Sequence, residues 1–169
     1  METVWAPWRM AYILSEKDRN CFFCHKLREP ARDAENYVIY RGKEAFALLN
    51  IYPYNNGHLM IAPYAHVSSL TALRPEQLLE LFDITRRCEQ ALREAMRPEG
   101  FNIGINVGKV AGAGVEDHLH VHIVPRWNGD TNYMTTISET RVIPQQLEDA
   151  YKLLFPYFSE NRRFHSLNV

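Results

Sequence analysis

The stretch His118-Leu-His-Val-His122, followed directly by Ile-Val-Pro-Arg-Trp127, decides how this chain folds and what it does. Its histidines alternate with apolar residues, which is typical of a β-strand, because successive side chains of a strand point to opposite faces. One face would carry three imidazoles, and the other would carry Leu119, Val121 and Ile123. A half-buried strand normally presents aliphatic side chains to the core. A face made of imidazole therefore favours chemistry over packing.

Three uses of such a face can be distinguished. One metal ion cannot collect all three imidazoles, because His118 and His122 would stand roughly 13 Å apart along the strand, whereas zinc–nitrogen bonds are about 2.0–2.1 Å long. Alternatively, a histidine whose Nδ1–H is held by a backbone carbonyl presents Nε2 as a nucleophile towards phosphorus or an acyl carbon. Its neighbours would then bind phosphoryl oxygens or donate a proton. The third possibility is that the histidines are ordinary hydrogen-bonded residues without a chemical role. Three imidazoles at regular alternation on one face argue against it.

The same residues resemble the signature of a known family. His118-Leu-His-Val-His-Ile-Val124 fits, position by position, the His-φ-His-φ-His-φ-φ pattern of the histidine-triad (HIT) nucleotide hydrolases and transferases, in which φ is apolar. The segment Phe46–His66 is similar to the family's nucleoside-binding segment. Three further stretches are similar to the bacterial branch described as diadenosine tetraphosphate phosphorylases: Trp5–Met10, Tyr52–Asn55 and Pro125–Asp130. The resemblance covers approximately residues 4–155.

The resemblance implies a role for each residue that matches the family's motif. His120 would be the nucleophile and would form a nucleotidyl-histidine intermediate at the α-phosphorus. His122 would help to hold the α-phosphate, and His118 would lie on the leaving-group side. Asn50 falls at the position that hydrogen-bonds the ribose hydroxyls, and Asn106 falls where the family has a polar side chain near the phosphates or the leaving group.

The chain departs from the family pattern just before the triad. Many members have Gly-Gln-Ser/Thr there, whereas this chain has Ala113-Gly-Val-Glu-Asp117, so an amide and a hydroxyl are missing. Backbone N–H groups near Gly114 and Val115 are expected to replace them, because glycine lets the main chain approach a ligand closely. We interpret the loop 108–114 as a phosphate-binding nest; its alternative is a simple connection between strands.

The three cysteines do not suggest a secreted disulfide scaffold. Cys21 and Cys24 form a C-x-x-C pair, and no thioredoxin-like βαβ pattern surrounds it to favour a redox role. In zinc-containing HIT relatives, the two further ligands are the histidines found here as His66 and His118. The resemblance therefore implies a structural Zn²⁺ site with a Cys₂His₂ ligand set, in which the metal stiffens the strand that carries the nucleophile. His25 is a competing ligand.

Composition places the chain among ordinary globular proteins. Of its 169 residues, 46% are hydrophobic and 23% charged, and the net charge is −1. This balance gives no electrostatic argument for binding nucleic acid or an anionic membrane. We expect a cytoplasmic protein, because the sequence has neither a transmembrane-length apolar run nor the apolar core of a signal peptide.

The order of predicted elements indicates one α+β domain. We expect an N-terminal arm over residues 1–20, a single HIT domain over 21–158 and a C-terminal tail over 159–169. The expected architecture is an antiparallel sheet of five strands, covered on one face by a long helix and a C-terminal helix. This order agrees with the fold of the HIT family, and the resemblance implies assembly as a homodimer or a higher homo-oligomer. Strands are predicted over 37–42, 45–51, 59–62, 101–107 and 118–125, and helices over 74–96 and 144–155.

The resemblance implies an enzyme that cleaves diadenosine tetraphosphate by nucleotidyl transfer. His120 would attack the α-phosphate, ATP would leave, and inorganic phosphate would resolve the intermediate to give ADP. Mg²⁺ could accompany the polyphosphate and neutralise part of its charge. The alternatives are hydrolysis of dinucleoside polyphosphates or of nucleoside phosphoramidates, and nucleotide binding without turnover.

Overall fold

The structure, a computed structural model, describes residues 21–130 and 145–159. Its described strands form one antiparallel sheet in the order β1-β2-β3-β5-β4. The strands are β1 (Val38–Arg41), β2 (Ala45–Leu49), β3 (Leu59–Pro63), β4 (Gly100–Ile105) and β5 (Val121–Arg126). The α-helices are α1 (Phe22–Leu27), α2 (Pro75–Met96) and α3 (Leu147–Leu154). Short 3₁₀ turns lie at Pro30–Arg32, Leu70–Ala72, Lys109–Ala111 and Phe155–Tyr157.

The long helix α2 begins and ends where its sequence predicts. Pro75 occupies its first turn, where a missing N–H costs no helical hydrogen bond, and the Gln77 side chain accepts the backbone N–H of Arg74. Its buried residues recur at helical spacing and include Leu81, Ile84, Cys88 and Leu92.

The sheet is covered on both faces, whereas the sequence predicts helices on one face only. One core lies between the sheet and the helices α2 and α3, and it contains Ala45, Ala47 and Leu49 of β2. The other core contains Phe46 and Leu48, together with Phe23 of α1. The expectation of a single covered face is therefore wrong, because α1, which the sequence analysis did not predict, packs against the second face.

The triad strand is shorter than predicted, and the reason lies in its neighbour β3. Strand β5 begins at Val121, so His118 and His120 precede it. Pro63 ends β3 and has no N–H to donate. The Pro63 carbonyl accepts a hydrogen bond from Nε2 of His118 at 2.8 Å, and regular strand pairing stops there.

The five predicted strands and the two predicted helices are otherwise confirmed, with ends that differ by up to three residues. The arm over 1–20 and all but the first residue of the tail lie outside the described residues. No helix among the described residues is both long and apolar enough to cross a membrane.

Candidate active site

A pocket opens on the α1 face of the sheet, beside the histidines that flank the start of β5. Its lining is mostly apolar and aromatic, and its polar side-chain groups belong to two histidines, two tyrosines and one asparagine. The lining residues are Phe22, Phe23, Asn50, Ile51, Tyr52, Tyr54, Met60, Gly114, Val115, His120 and His122. Such a pocket suits a flat apolar ligand part joined to a polar or charged part.

His120 is oriented as a nucleophile. Its Nδ1 lies 2.8 Å from the backbone carbonyl of His118, and because a carbonyl can only accept, Nδ1 carries the proton. Nε2 is therefore the nitrogen with the available lone pair. Burial lowers the pKa of His120, although its hydrogen bond to the His118 carbonyl opposes this shift. The ring is thus held in the neutral, nucleophilic form.

His122 receives a hydrogen bond from a fourth histidine, His58. Nε2 of His58 lies 3.0 Å from Nδ1 of His122. The backbone N–H of Tyr54 donates to Nδ1 of His58 at 3.0 Å, so the proton of His58 is on Nε2 and is donated to His122. A neutral His122 consequently carries its own proton on Nε2, where it can donate to a phosphoryl oxygen.

His58 is completely buried, and no role for it was predicted from the sequence. The available signal was a histidine directly before the apolar strand β3, preceded by Gly57. Gly57 has φ +70°, and a Cβ at this position would lie 2.6 Å from Sδ of Met96. Only glycine therefore fits the turn that leads into His58.

Asn50 lies at the pocket, as its predicted ribose-binding role requires. Its Oδ1 accepts the backbone N–H of Tyr52 at 2.9 Å, and its Nδ2 lies 3.3 Å from Nδ1 of His58. Asparagine commonly begins a loop in this way, by hydrogen-bonding the backbone two residues ahead. We refer to residues 50–58 as the pocket loop.

The glycine-rich loop reaches the pocket only at its far end. Gly108 and Gly112 have positive φ values of 82° and 87°, and the backbone N–H groups of residues 111–113 donate to carbonyls inside the loop. Gly114 and Val115 line the pocket. Asn106, by contrast, is half-buried just beyond β4 and is not among the residues that line the pocket.

Four side chains meet beside the pocket in the arrangement expected for a metal site. One ligand atom from each of Cys21, Cys24, His66 and His118 lies within 4.8 Å of the other three. Nδ1 of His118 is 3.2 Å from Sγ of Cys21, and Nδ1 of His66 is 3.3 Å from Sγ of Cys24. His25 does not belong to this cluster.

The protonation of His118 suits a metal ligand. Because Nε2 donates to the Pro63 carbonyl, Nδ1 presents its lone pair to the two thiols. Burial lowers the pKa of His118 to about 4, which keeps the ring neutral. With both nitrogens engaged in this way, the geometry favours metal binding by His118 over a contact with the leaving group.

Helix α1 connects the metal cluster to the pocket. Cys21 and Cys24 flank Phe22 and Phe23, and both phenylalanines line the pocket. The ring centroid of Phe23 lies 5.0 Å from that of His118 and 4.9 Å from that of His120. The position of α1 therefore determines the packing around His120.

Comparison with known families and proteins agrees with this geometry. The profile of the family described as HIT domain matches residues 31–129. The protein named AP-4-A phosphorylase of Mycobacterium tuberculosis is 40% identical over 166 residues, which cover 91% of this chain and 83% of that protein. The asymmetrical bis(5'-nucleosyl)-tetraphosphatase of Schizosaccharomyces pombe is 34% identical over 128 residues, 75% of this chain and 66% of that protein.

A solved structure shows a similar fold. The Zn-bound histidine triad family protein of Mycobacterium smegmatis superposes with a TM-score of 0.65 and is 31% identical. The match covers 82% of this chain and 92% of that chain. This similarity supports the α+β fold that was predicted from the sequence.

Proposed function

This chain belongs to the HIT domain family, and on that premise we propose that it is a nucleotidyl transferase that cleaves diadenosine tetraphosphate or a related dinucleoside polyphosphate. The observation that carries the proposal is the pairing of two neighbouring imidazoles in one pocket. His120 offers Nε2 as a nucleophile, and His122 carries a proton on Nε2. The names of the M. tuberculosis and S. pombe relatives support this substrate class.

The reaction proceeds in two balanced displacements. Nε2 of His120 attacks the α-phosphorus, a P–N bond forms, and the bond to the bridging oxygen of the β-phosphate breaks, so that ATP leaves. An oxygen of inorganic phosphate then attacks the same phosphorus and breaks the P–N bond, which gives ADP and regenerates His120. The proton of His122 stabilises the charge on the α-phosphate in both steps.

Substrate binding is divided between two parts of the pocket. The apolar side chains, which include Phe22, Ile51 and Met60, receive the adenine, and Asn50 receives the ribose hydroxyls. The backbone at Gly114 and Val115 approaches the phosphates. The described residues that line the pocket include no carboxylate, so Mg²⁺ would arrive bound to the polyphosphate.

A structural Zn²⁺ ion fits the cluster of Cys21, Cys24, His66 and His118. Two sulfur and two nitrogen donors match the tetrahedral ligand sets that structural zinc prefers. The ion would hold α1 against the segment that carries His118, with the Pro63 carbonyl fixing the ring of that histidine. The Zn-bound M. smegmatis relative supports this assignment.

Self-association is proposed along β4. This strand ends the described sheet, and Ile103 at its centre is 44% exposed. An unpaired strand edge that carries an apolar side chain is a surface suited to pairing with another strand. A second copy of this chain is the partner we propose, in a homodimer or as part of a larger homo-oligomer.

Product analysis tests the proposed reaction. Diadenosine tetraphosphate is incubated with the protein, with and without inorganic phosphate, and the nucleotides are separated. Phosphate-dependent formation of ADP and ATP is expected. Formation of AMP and ATP in both conditions would indicate that water is the acceptor, as in hydrolysis. The absence of any product would contradict the proposal, and adenosine phosphoramidate would then be tested as a substrate.

The His120→Asn variant is the control for mechanism. It removes the nucleophile while retaining a polar side chain of similar size, so it should bind nucleotide and give no product. Product formation at the wild-type rate in this variant would exclude His120 as the nucleophile.

A further inference from the structure

A buried carboxylate lies beyond the end of β5, in the loop that follows it. The side chain of Asp130 is only 8% exposed. Arg126 donates to both of its oxygens, from Nε at 2.6 Å and from Nη2 at 2.9 Å. The backbone N–H of Trp127 donates to Oδ2 at 3.1 Å. The paired guanidinium compensates the charge of this carboxylate.

The same carboxylate holds the pocket loop through Asn55. Nδ2 of Asn55 donates to Oδ2 of Asp130 at 2.8 Å and to the carbonyl of Pro125 at 3.0 Å. Oδ1 of Asn55 accepts the backbone N–H of Asn56, and its backbone carbonyl accepts the N–H of His58. The buried amide of Asn55 thereby fixes the turn that leads into β3.

This turn determines where His58 and its donor lie. Tyr54 immediately precedes Asn55 and donates its backbone N–H to Nδ1 of His58. That bond, together with the contact of Asn50 Nδ2 with the same nitrogen at 3.3 Å, keeps the proton of His58 on Nε2, from which it donates to Nδ1 of His122. If the turn shifted, Nδ1 of His58 could take up the proton, and His122 would then donate from Nδ1 and present a lone pair on Nε2.

We propose that Asp130 is a positioning residue: through Asn55 it fixes the tautomer of His58, and so keeps the proton of His122 on Nε2. Its effect on turnover rests on the proposed function, since a lone pair on His122 would repel the α-phosphate instead of stabilising it. Its effect on the two tautomers does not depend on any reaction.

The tautomers can be read directly by NMR on protein labelled with ¹⁵N-histidine. Signals of His58 and His122 are assigned with the variants His58→Gln and His122→Gln. In the wild-type protein both rings should show a protonated Nε2. The variants Asp130→Ala and Asn55→Ala should each show a mixture of tautomers at both rings, while the tautomer of His120 stays unchanged because its own carbonyl contact remains.

The kinetic expectation is a loss in kcat with little change in KM. Removing a residue that orients a functional imidazole typically lowers activity about 10–100-fold. Asp83→Asn is the matched control, because Asp83 also pairs with arginines but lies on α2. This control should keep wild-type kcat and wild-type tautomers.

Two outcomes would overturn the proposal. If Asp130→Ala and Asn55→Ala lower only the melting temperature and keep wild-type tautomers in the folded state, Asp130 is merely a stabilising residue. If the tautomers change but kcat does not, the position of the His122 proton does not affect the reaction. Failure of the proposed function is separately recognisable, because the wild-type protein would then form no product while the NMR result would still test the tautomers.

Discussion

Two histidines that lie two residues apart carry their protons on opposite ring nitrogens, and a backbone carbonyl decides each case. The His118 carbonyl accepts from Nδ1 of His120, which presents Nε2 to the pocket. The Pro63 carbonyl accepts from Nε2 of His118, which presents Nδ1 to the cysteines. In the proposed mechanism, one short segment thus supplies a nucleophile and a metal ligand from the same residue type.

The lowered pKa of His120 predicts how the rate depends on pH. The imidazole is nucleophilic only when neutral, and burial lowers its pKa, so it remains neutral below the ordinary value of about 6.5. We expect the single-turnover rate of nucleotidyl transfer to stay constant as the pH falls through about 6.5 and to decline only at lower pH. An acid limb centred at or above about 6.5 would show that the pKa of the nucleophile is not lowered.

Part of the candidate site could be predicted from the sequence. The alternation of His118, His120 and His122 with apolar residues was sufficient to identify these three histidines as candidate site residues. The roles of Asn50 and His120 came from resemblance to a family, and those roles remain predictions until they are tested. The contribution of His58 depends on a contact between residues 58 and 122. No local pattern encodes a contact over that separation.

At the level of elements, helix α1 could not be predicted from the sequence, because it is short and has contacts on more than one side. Its six residues offer too little sequence for a helical period to be recognised. Tertiary contacts of Phe22 and Phe23 with the pocket, and of the flanking cysteines with two histidines, determine its position. A tertiary contact also explains why strand β5 begins later than predicted. The side chain of His118 donates a hydrogen bond to the Pro63 carbonyl, where strand pairing would otherwise continue.

Metal removal should therefore affect the pocket through α1. We expect one Zn²⁺ per chain, and its loss should lower both thermal stability and nucleotide affinity. Metal at about 100–1,000 times its dissociation constant stabilises a protein by about 3–4 kcal/mol. Cys24→Ser should lose the metal, whereas Cys88→Ala should retain it, because Cys88 lies on the core-facing side of α2 and outside the cluster. Metal content, melting and nucleotide titration measure these effects.

Zinc binding should also depend on pH in a defined direction. Burial, reinforced by the neighbouring Cys21, raises the pKa of Cys24 in the metal-free protein. A thiol must lose its proton to bind zinc, so zinc uptake should release protons and zinc affinity should fall as the pH is lowered. Calorimetry in buffers of different ionisation enthalpy measures this release. Zinc binding without proton release would contradict a site formed by two thiols.

The connection between β1 and β2 depends on one carboxylate from α2. Glu80 accepts the backbone N–H groups of Lys43 at 3.0 Å, Ala45 at 3.1 Å and Glu44 between them. Glu80→Gln replaces one acceptor oxygen with a donor, so the free energy of unfolding should fall by about 1–3 kcal/mol. Urea unfolding measures the change.

The matched control for Glu80 lies on the same helix. Glu89 forms only an exposed pair with Arg93 one turn further on, and its replacement by glutamine should change stability by less than about 0.5 kcal/mol. Equal destabilisation by the two variants would show that the hydrogen bonds of Glu80 to the turn contribute nothing beyond its charge.

At the level of the whole molecule, the position of β4 at the edge of the described sheet predicts self-association. Ile103→Asp places a charge in the middle of β4 and should convert an oligomer into smaller species in light-scattering measurements. Leu79→Asp is the control, because Leu79 is 74% exposed and lies near the start of α2. This end of α2 contacts the β1–β2 connection, near the sheet edge opposite β4. A monomeric wild-type protein would contradict the prediction.

The fold as a whole brings His120, His122 and one member of the Cys/His cluster, His118, together on one short segment, and the proposed mechanism requires His120 to carry the nucleotidyl group. The most direct test is to mix the protein with diadenosine tetraphosphate, stop the reaction rapidly in neutral denaturant, and measure the intact mass. We predict a mass increase of one adenylyl group that maps to the peptide containing His120 and is absent from His120→Asn. An adduct on another residue would contradict this role of His120. Turnover that leaves no adduct and is undiminished in His120→Asn would contradict it as well.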